Sequence, residues 1–386
     1  MDMHLTPADL PYRDRKKWVW LASLAVPATV GAGPLLYLQF HAAWMLWLPL
    51  LVMYGVVPML DWLLGEDRSN PPESAVPALE QVAYYRYITF ALVPILGAAW
   101  AFSLWFLGTQ TLPLHGVIAV IIIAGGIGGF AINLAHEMGH KRPAHERGLA
   151  QLVLAPFAYG HFVIEHNRGH HKHVSTPEDS ASSRMGESIY RFALRELPGG
   201  LMRGWKLEWA RCRQAGLAPL SLHNELIITS LITLALWTGM IVWLGTAILP
   251  MLLGIAVWAW FQLTSANYIE HYGLLRRKQD NGQYERCQPH HSWNSNHIFS
   301  NWALFHLQRH SDHHAHPMRR YQSLRHFDNL PTLPNGYFGM FVIAYLPPLW
   351  FHVMNPRLIK AVGGDASRIH FQPGKEAGLR VRYRLA

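Results

Sequence analysis

Nine histidines fall into four short runs. They are His136 and His140 in HEMGH, His166, His170 and His171 in HNRGHH, His271 in IEHYG, and His310, His313 and His314 in HSDHH. Imidazole ligates zinc, iron, copper and nickel, so the pattern points to metal chemistry without selecting the metal. Read alone, HEMGH is the helical spacing of a zinc protease, with Glu137 as its general base. That reading needs one further ligand and leaves three runs without a role. A structural zinc takes four ligands and a catalytic zinc three plus water. Nine imidazoles overshoot one such ion and suit two metals, each with four or five nitrogens and open positions. A carboxylate-bridged di-iron bundle uses two ExxH pairs. Here Glu137–His140 supplies one, while the positions that would complete others hold Arg168 and Gly273.

Nine neutral ligands leave the charge of the metals uncompensated, so nearby carboxylates are expected to orient the imidazoles from behind. Glu137, Glu165, Glu270 and Asp312 each stand beside a histidine. Successive helical residues point about 100° apart. Each acid is therefore expected to serve a histidine of another run. His161, His173, His290, His291, His297, His306 and His316 are left to hydrogen bonding or structure. The segment PHHSWNSNH (289–297) is expected to cover the metals from the cytoplasm.

The elements that must position these residues are membrane helices. Of 386 residues, 51% are hydrophobic and 15% charged, against roughly 25% charged in soluble domains. Stretches of about 20 apolar residues occur at 18–40, 42–64, 86–107, 114–136, 224–244 and 246–269. Pro27, Pro58 and Pro94 lie within them and mark kinks, because neighbouring helices can satisfy a freed carbonyl. The first span follows a basic tail (Arg13, Arg15, Lys16, Lys17) and reads as a retained anchor. Six spans put both termini, 65–85, 137–223 and 270–386 on one side. All 33 Lys and Arg fall in or beside that side, which the positive-inside rule makes cytoplasmic. All four histidine runs share it. The net charge of +9 is thus a signal for anionic lipid and partner docking, and no nucleic-acid motif accompanies it. Residues 149–164 and 337–354 are apolar but broken by Pro156 and Pro347–Pro348, and read as interfacial or re-entrant helices on the cytoplasmic face. Cys212 and Cys287 have no CxxC spacing and read as free thiols. The fold class is all-α integral membrane, one domain over 1–386: a six-helix bundle under a helical cytoplasmic cap (137–223 and 270–386).

HEMGHK, EHNRGHH, NYIEHYGLL and LQRHSDHHAHP, with SSRMGESIY (182–190) and PHHSWNSNH, closely resemble the motifs of the membrane alkane 1-monooxygenases, within the integral-membrane desaturase and hydroxylase group. The likeness runs from about residue 15 to about 365. It implies a non-haem di-iron centre ligated by the nine histidines named above, with O2 as co-substrate. It implies hydroxylation of a linear alkane at its terminal methyl in the bacterial inner membrane. It also implies electrons from a rubredoxin, itself reduced by a reductase with NADH. The chain has no nucleotide fingerprint and no iron–sulfur motif, and no haem or flavin site is expected. Arg276, Arg277, Lys278, Arg319 and Arg320 adjoin the third and fourth runs and are the rubredoxin-docking candidates, with lipid headgroups as the other reading. Met53 and Trp47 on the second span are candidates for limiting chain length. A fatty-acyl desaturase or hydroxylase on the same scaffold is the nearer alternative and an intramembrane zinc metalloprotease the remoter one. A metal transporter is disfavoured, because its sites should lie at the bilayer midplane.

Overall fold

The computed structural model describes residues 12–385, and the described residues are helical, with isolated β-bridges in place of strands. Six helices are long and apolar enough to cross a bilayer: Val19–Phe40, Ala43–Leu64, Ala83–Thr109, Leu114–Gly139, Glu225–Leu244 and Thr246–Glu270. They match the six expected spans to within a few residues. Helices are the form such segments must take, because every backbone amide in lipid needs an internal partner.

The fourth and sixth spans form the centre of the bundle, and glycine sets their separation. A Cβ on Gly125 would meet Trp258 Cβ at 2.7 Å, one on Gly128 would meet Ala259 Cβ at 2.6 Å, and one on Gly129 would meet Gln262 Cβ at 2.5 Å. Gly125 and Gly129 are a GxxxG pair, the small-residue device that lets membrane helices pack backbone to backbone. His136 follows Gly129 by seven residues and His271 follows Gln262 by nine, so both spans deliver a histidine about 10–14 Å beyond the close contact, at one depth.

The apolar stretch 149–164 does not span. Helix Ala144–Leu154 ends in a tight turn, Ala155–Phe157, and Ala158 takes a left-handed conformation. The carbonyls freed by this break are met by side chains of the fifth and sixth spans. Thr233 Oγ1 donates to Ala155 O (2.8 Å), Trp237 Nε1 to Pro156 O (2.9 Å) and Trp260 Nε1 to Phe157 O (2.7 Å). Helices Tyr337–Ala344 and Pro347–Ala361 meet at a bend of 119°, the geometry of a broken span or a re-entrant loop.

The cap is tied to the end of the sixth span. Ser183 Oγ donates to Tyr268 O, Tyr268 Oη to Glu187 O, and Gly186 N to Tyr272 Oη, so SSRMGESIY lies against that helix end. PHHSWNSNH lies across it. Trp293 donates from its backbone N to Glu270 O (2.8 Å) and from its indole to Tyr272 O (3.0 Å). Asn294 Oδ1 accepts from Ser311 N, which fixes the start of helix His310–Ala315.

Candidate metal centre

The nine histidines converge in two groups. His136, His140, His166, His171 and His313 form one, and His170, His271, His310 and His314 the other; within each, one nitrogen per ring lies within 4.8 Å of all the rest. The groups touch, with the rings of His171 and His314 4.4 Å apart. All nine arise from four chain segments that meet where the fourth and sixth spans leave the bundle.

The division follows from local backbone geometry. His166–His170 is a π-helical turn, in which His171 N donates to His166 O five residues back. A π turn aligns residues i and i+5 instead of i and i+4. His166 and His171 therefore share a face, with their Nε2 atoms 3.0 Å apart, and His170 is turned to the other group. At α-helical spacing His166 and His170, four apart, would share a face; the π turn pairs His166 with His171 instead. In helix His310–Ala315, α-helical spacing sends His310 and His314 to one group and His313 to the other.

The nitrogens are placed as ligands of a common ion would be. His136 and His313 approach at 2.9 Å, His171 and His313 at 3.1 Å, His310 and His271 at 3.1 Å, and His314 and His310 at 2.9 Å, each through Nε2. Two nitrogens about 2.1 Å from one ion and at right angles lie about 3.0 Å apart. Hydrogen bonding does not account for the convergence. An imidazole nitrogen carries one proton or one lone pair, so His310 Nε2 cannot satisfy both His271 and His314.

Burial, and then the mutual repulsion of neighbouring rings, holds His140, His166, His171, His310, His313 and His314 well below the ordinary imidazole range. His271 is held down in the same way, by burial and then His170. Neutral rings with free lone pairs are the form that binds metal. His170 differs. Burial pushes it down, but the charge of Asp179 and a hydrogen bond to it carry the ring above its ordinary value. His170 Nδ1 lies 2.9 Å from Asp179 Oδ2, and its Nε2 has no partner among the described residues.

Residues 111–344 match the fatty acid desaturase family. The chain is 50% identical to alkane 1-monooxygenase 1 of Alcanivorax borkumensis, over 94% of this chain and 90% of that protein. It is 48% identical to the alkane 1-monooxygenases of Ectopseudomonas oleovorans (93% and 89% covered) and Pseudomonas putida (95% and 91% covered). The chain belongs to the fatty acid desaturase family, in its alkane 1-monooxygenase branch.

In this alkane 1-monooxygenase family member the carboxylates do not act as the sequence suggested. Of the four acids, Glu270 alone reaches a histidine of another run. Its Oε2 lies 3.4 Å from His310 Nε2, and Tyr337 Oη donates to its Oε1 at 2.8 Å. Glu137 instead pairs with Lys141 (3.0 Å), one turn away. Tyr321 N donates to the same oxygen, so the carboxylate that a protease would use as base is already engaged. Glu165 pairs with Arg203, and Asp312 takes both terminal contacts of Arg319 Nη1 (3.0 and 2.8 Å). In each case a buried or half-buried cation lies within reach and a charged partner outcompetes a neutral ring. The carboxylate that holds one of the nine histidines from behind is Asp179, which the sequence reading missed. It accepts from Arg203 Nη2 (2.7 Å) and Ser182 Oγ (2.6 Å) as well as facing His170. The stretch STPEDSASS carries no periodic signal that would have marked it.

Three of the five docking candidates are structural. Arg319 is buried on Asp312 and Glu73, Arg320 is paired with Glu146, and Arg276 is buried with Nη1 on Lys172 O. Burial removes Arg276 and Arg319 from the surface, and Arg320, half-buried, is held by its ion pair. Arg277 and Lys278 are exposed, Arg277 pairing with Asp365. Trp47 sits at the opposite end of the second span from the histidines, its indole 3.4 Å from His115 Nδ1. Met53 lies in the π-helical turn Val52–Val56 and faces Gly126, where a Cβ would meet Met53 Cε at 3.4 Å. Of the remaining histidines, His306 Nδ1 faces Tyr321 O, His297 Nδ1 faces Ser295 Oγ, and His316 is exposed.

Proposed function

We propose that this protein hydroxylates the terminal methyl of linear alkanes to 1-alkanols, using O2 at a non-haem di-iron centre, with electrons from a rubredoxin. The observation that carries the reading is the division of nine buried histidines into adjacent groups of five and four. Relatives at 48–50% identity over nearly the whole chain bear the name alkane 1-monooxygenase, which favours alkanes over acyl chains as substrate.

The five-histidine group would hold one iron and the four-histidine group the other. Bound iron supplies O2 activation, which no protein side chain provides. The chain does the rest. An alkane offers no polar group to grip, so selection rests on shape and on water exclusion. Phe162 helps to wall the five-histidine group from the bilayer side, its ring 5.1 Å from His166 and 6.4 Å from His136. Asp179 and Arg203 fix the ring of His170 and leave its Nε2 free for the ion that the four-histidine group would hold. Tyr337 holds Glu270 with one carboxylate oxygen toward the four-histidine group. The basic residues on the histidine side support a cytoplasmic position for it at a bacterial inner membrane, where a soluble reductant would have access.

The deciding experiment is metal analysis of the purified protein, followed by turnover. Two irons per chain are expected, with His271→Ala and His313→Ala each lowering the content, and 1-alkanol forming only with O2, alkane and reduced rubredoxin. One zinc per chain, unaffected by either substitution, would overturn the proposal.

A further inference from the structure

With Arg276, Arg319 and Arg320 locked inside the cap, the question is which basic residues remain for a partner. Among the described basic residues that form no ion pair are Arg357, Lys360, Lys278, Arg286 and Arg368, which lie on two stretches of the cap, 278–286 and 357–368. Two of them, Arg357 and Lys360, are exposed on helix Pro347–Ala361 and line a groove of about 480 Å3. Its other walls are His290 and the loop 329–332, and its floor is Trp293. Arg368 and Arg277 act electrostatically on His290 from the same neighbourhood. Of the carboxylates nearby, Asp365 pairs with Arg277, while Glu285 and Asp328 face the imidazoles of His291 and His326.

What sets this groove apart from other basic surface is what lies beneath it. Trp293 N is 2.8 Å from Glu270 O and its indole nitrogen 3.0 Å from Tyr272 O. The floor is therefore bonded to both neighbours of His271, a member of the four-histidine group. Pro289 O, at the groove's own segment, accepts from Ser311 Oγ next to His310. One layer of covalent and hydrogen-bonded structure separates the open surface from two of the four histidines.

We infer that this groove is the docking surface of a small acidic one-electron carrier protein, seated on Arg357 and Lys360 over Trp293. The inference rests on the proposed function, which requires such a carrier, and adds where it binds and which iron-side group it faces. A basic rim steers an acidic partner and sets its orientation, and a wall one residue thick keeps the transfer distance short. Each visit oxidises the carrier by one electron and reduces the centre by one, with no bond made or broken across the contact.

The test uses the full-length, metal-loaded protein in lipid nanodiscs and a purified acidic rubredoxin. Binding is measured at low and at physiological salt for wild type, for the double reversal Arg357→Glu/Lys360→Glu, and for Lys206→Glu, an exposed basic residue on helix Ile189–Gln214. The double reversal is expected to weaken binding about tenfold or more at low salt, with a smaller effect at high salt. Lys206→Glu should bind as wild type does. Metal content and turnover with a chemical reductant should be unchanged in both. Wild type and double reversal binding rubredoxin equally would overturn the groove and leave the carrier reading standing. Wild type that turns over with a chemical reductant but neither binds nor accepts electrons from rubredoxin would overturn the carrier reading, and the groove with it. Loss of affinity for anionic vesicles with rubredoxin binding intact would assign the basic rim to the membrane surface and overturn the inference.

Discussion

His170 Nδ1 stands 2.9 Å from Asp179 Oδ2, inside a pocket closed by Arg203 and Ser182. A carboxylate only accepts, so the proton sits on Nδ1 and the lone pair of Nε2 is left for a metal. Burial opposes the charge of Asp179, but His170 and Arg203 outweigh it and hold the carboxyl well below its usual range. Asp179→Asn keeps the shape, removes the charge and leaves the ring's tautomer unspecified. Comparable losses behind a ligand histidine weaken metal binding about 10–100-fold. Metal titration of the purified variant should show that loss in one of two ions, with the other retained; full retention of both would count against the role.

The close packing of the fourth and sixth spans makes a separate prediction. A methyl group on Gly128 would sit 2.6 Å from both Ala259 Cβ and Phe157 Cε1, neither of which can swing away. Overpacking of this kind costs about 1–3 kcal/mol. Gly128→Ala is expected to lower the unfolding temperature in detergent and to reduce metal content, because the two spans carry His136 and Glu270–His271. Gly97→Ala, on the third span with no atom within 4 Å of the new methyl, should change neither.

These two sites also show what the sequence could and could not reveal. The six spans and the four histidine runs were legible because a bilayer demands long apolar helices and metal ligands need repeated spacings. The assignment of His166 with His171 was hidden, since it depends on one π turn that nothing in HNRGHH announces. Asp179 was hidden because it reaches its histidine from a loop nine residues on, with no helical register between them. The acids beside the histidines were misassigned for the opposite reason. Adjacency in sequence was visible, but the Lys141, Arg203 and Arg319 that claim them come from geometry. The glycines at 125–129 were visible as composition, yet their meaning needs the facing helix.

A further pH effect is expected from His370, a histidine outside both metal-binding groups. His370 is buried, and Arg184 Nε donates to its Nε2 at 3.2 Å, so the ring must be neutral. Burial, then the charges of Arg184 and Arg195, pushes it down to about 3. In the unfolded chain the same ring titrates near 6.5. Between these values the unfolded state binds the extra proton, so stability falls as pH drops below about 6.5. Unfolding midpoints measured from pH 7.5 to 5 should decline for wild type and decline less steeply for His370→Gln. Parallel slopes would show that His370 does not contribute to the acid sensitivity.

Chain-length selection is expected at Met53. This residue lies in a π-helical turn of the second span, and its thioether end packs where Gly126 leaves room on the fourth span. Gly126 precedes His136 by ten residues, which places the contact about 15 Å along the helix from the five-histidine group. An alkane that presents its methyl to the metals extends its far end toward that level. Met53→Trp puts a rigid indole against Gly126, where no side chain can yield. Products from a series of linear alkanes should then lose the longest members while shorter ones are hydroxylated as before. Trp47→Leu alters a residue six positions back, toward the end of the span away from the histidines, and should leave the profile as it was. An unchanged profile for Met53→Trp would remove this contact from the substrate path, and a uniform loss across all lengths would mark it as packing alone.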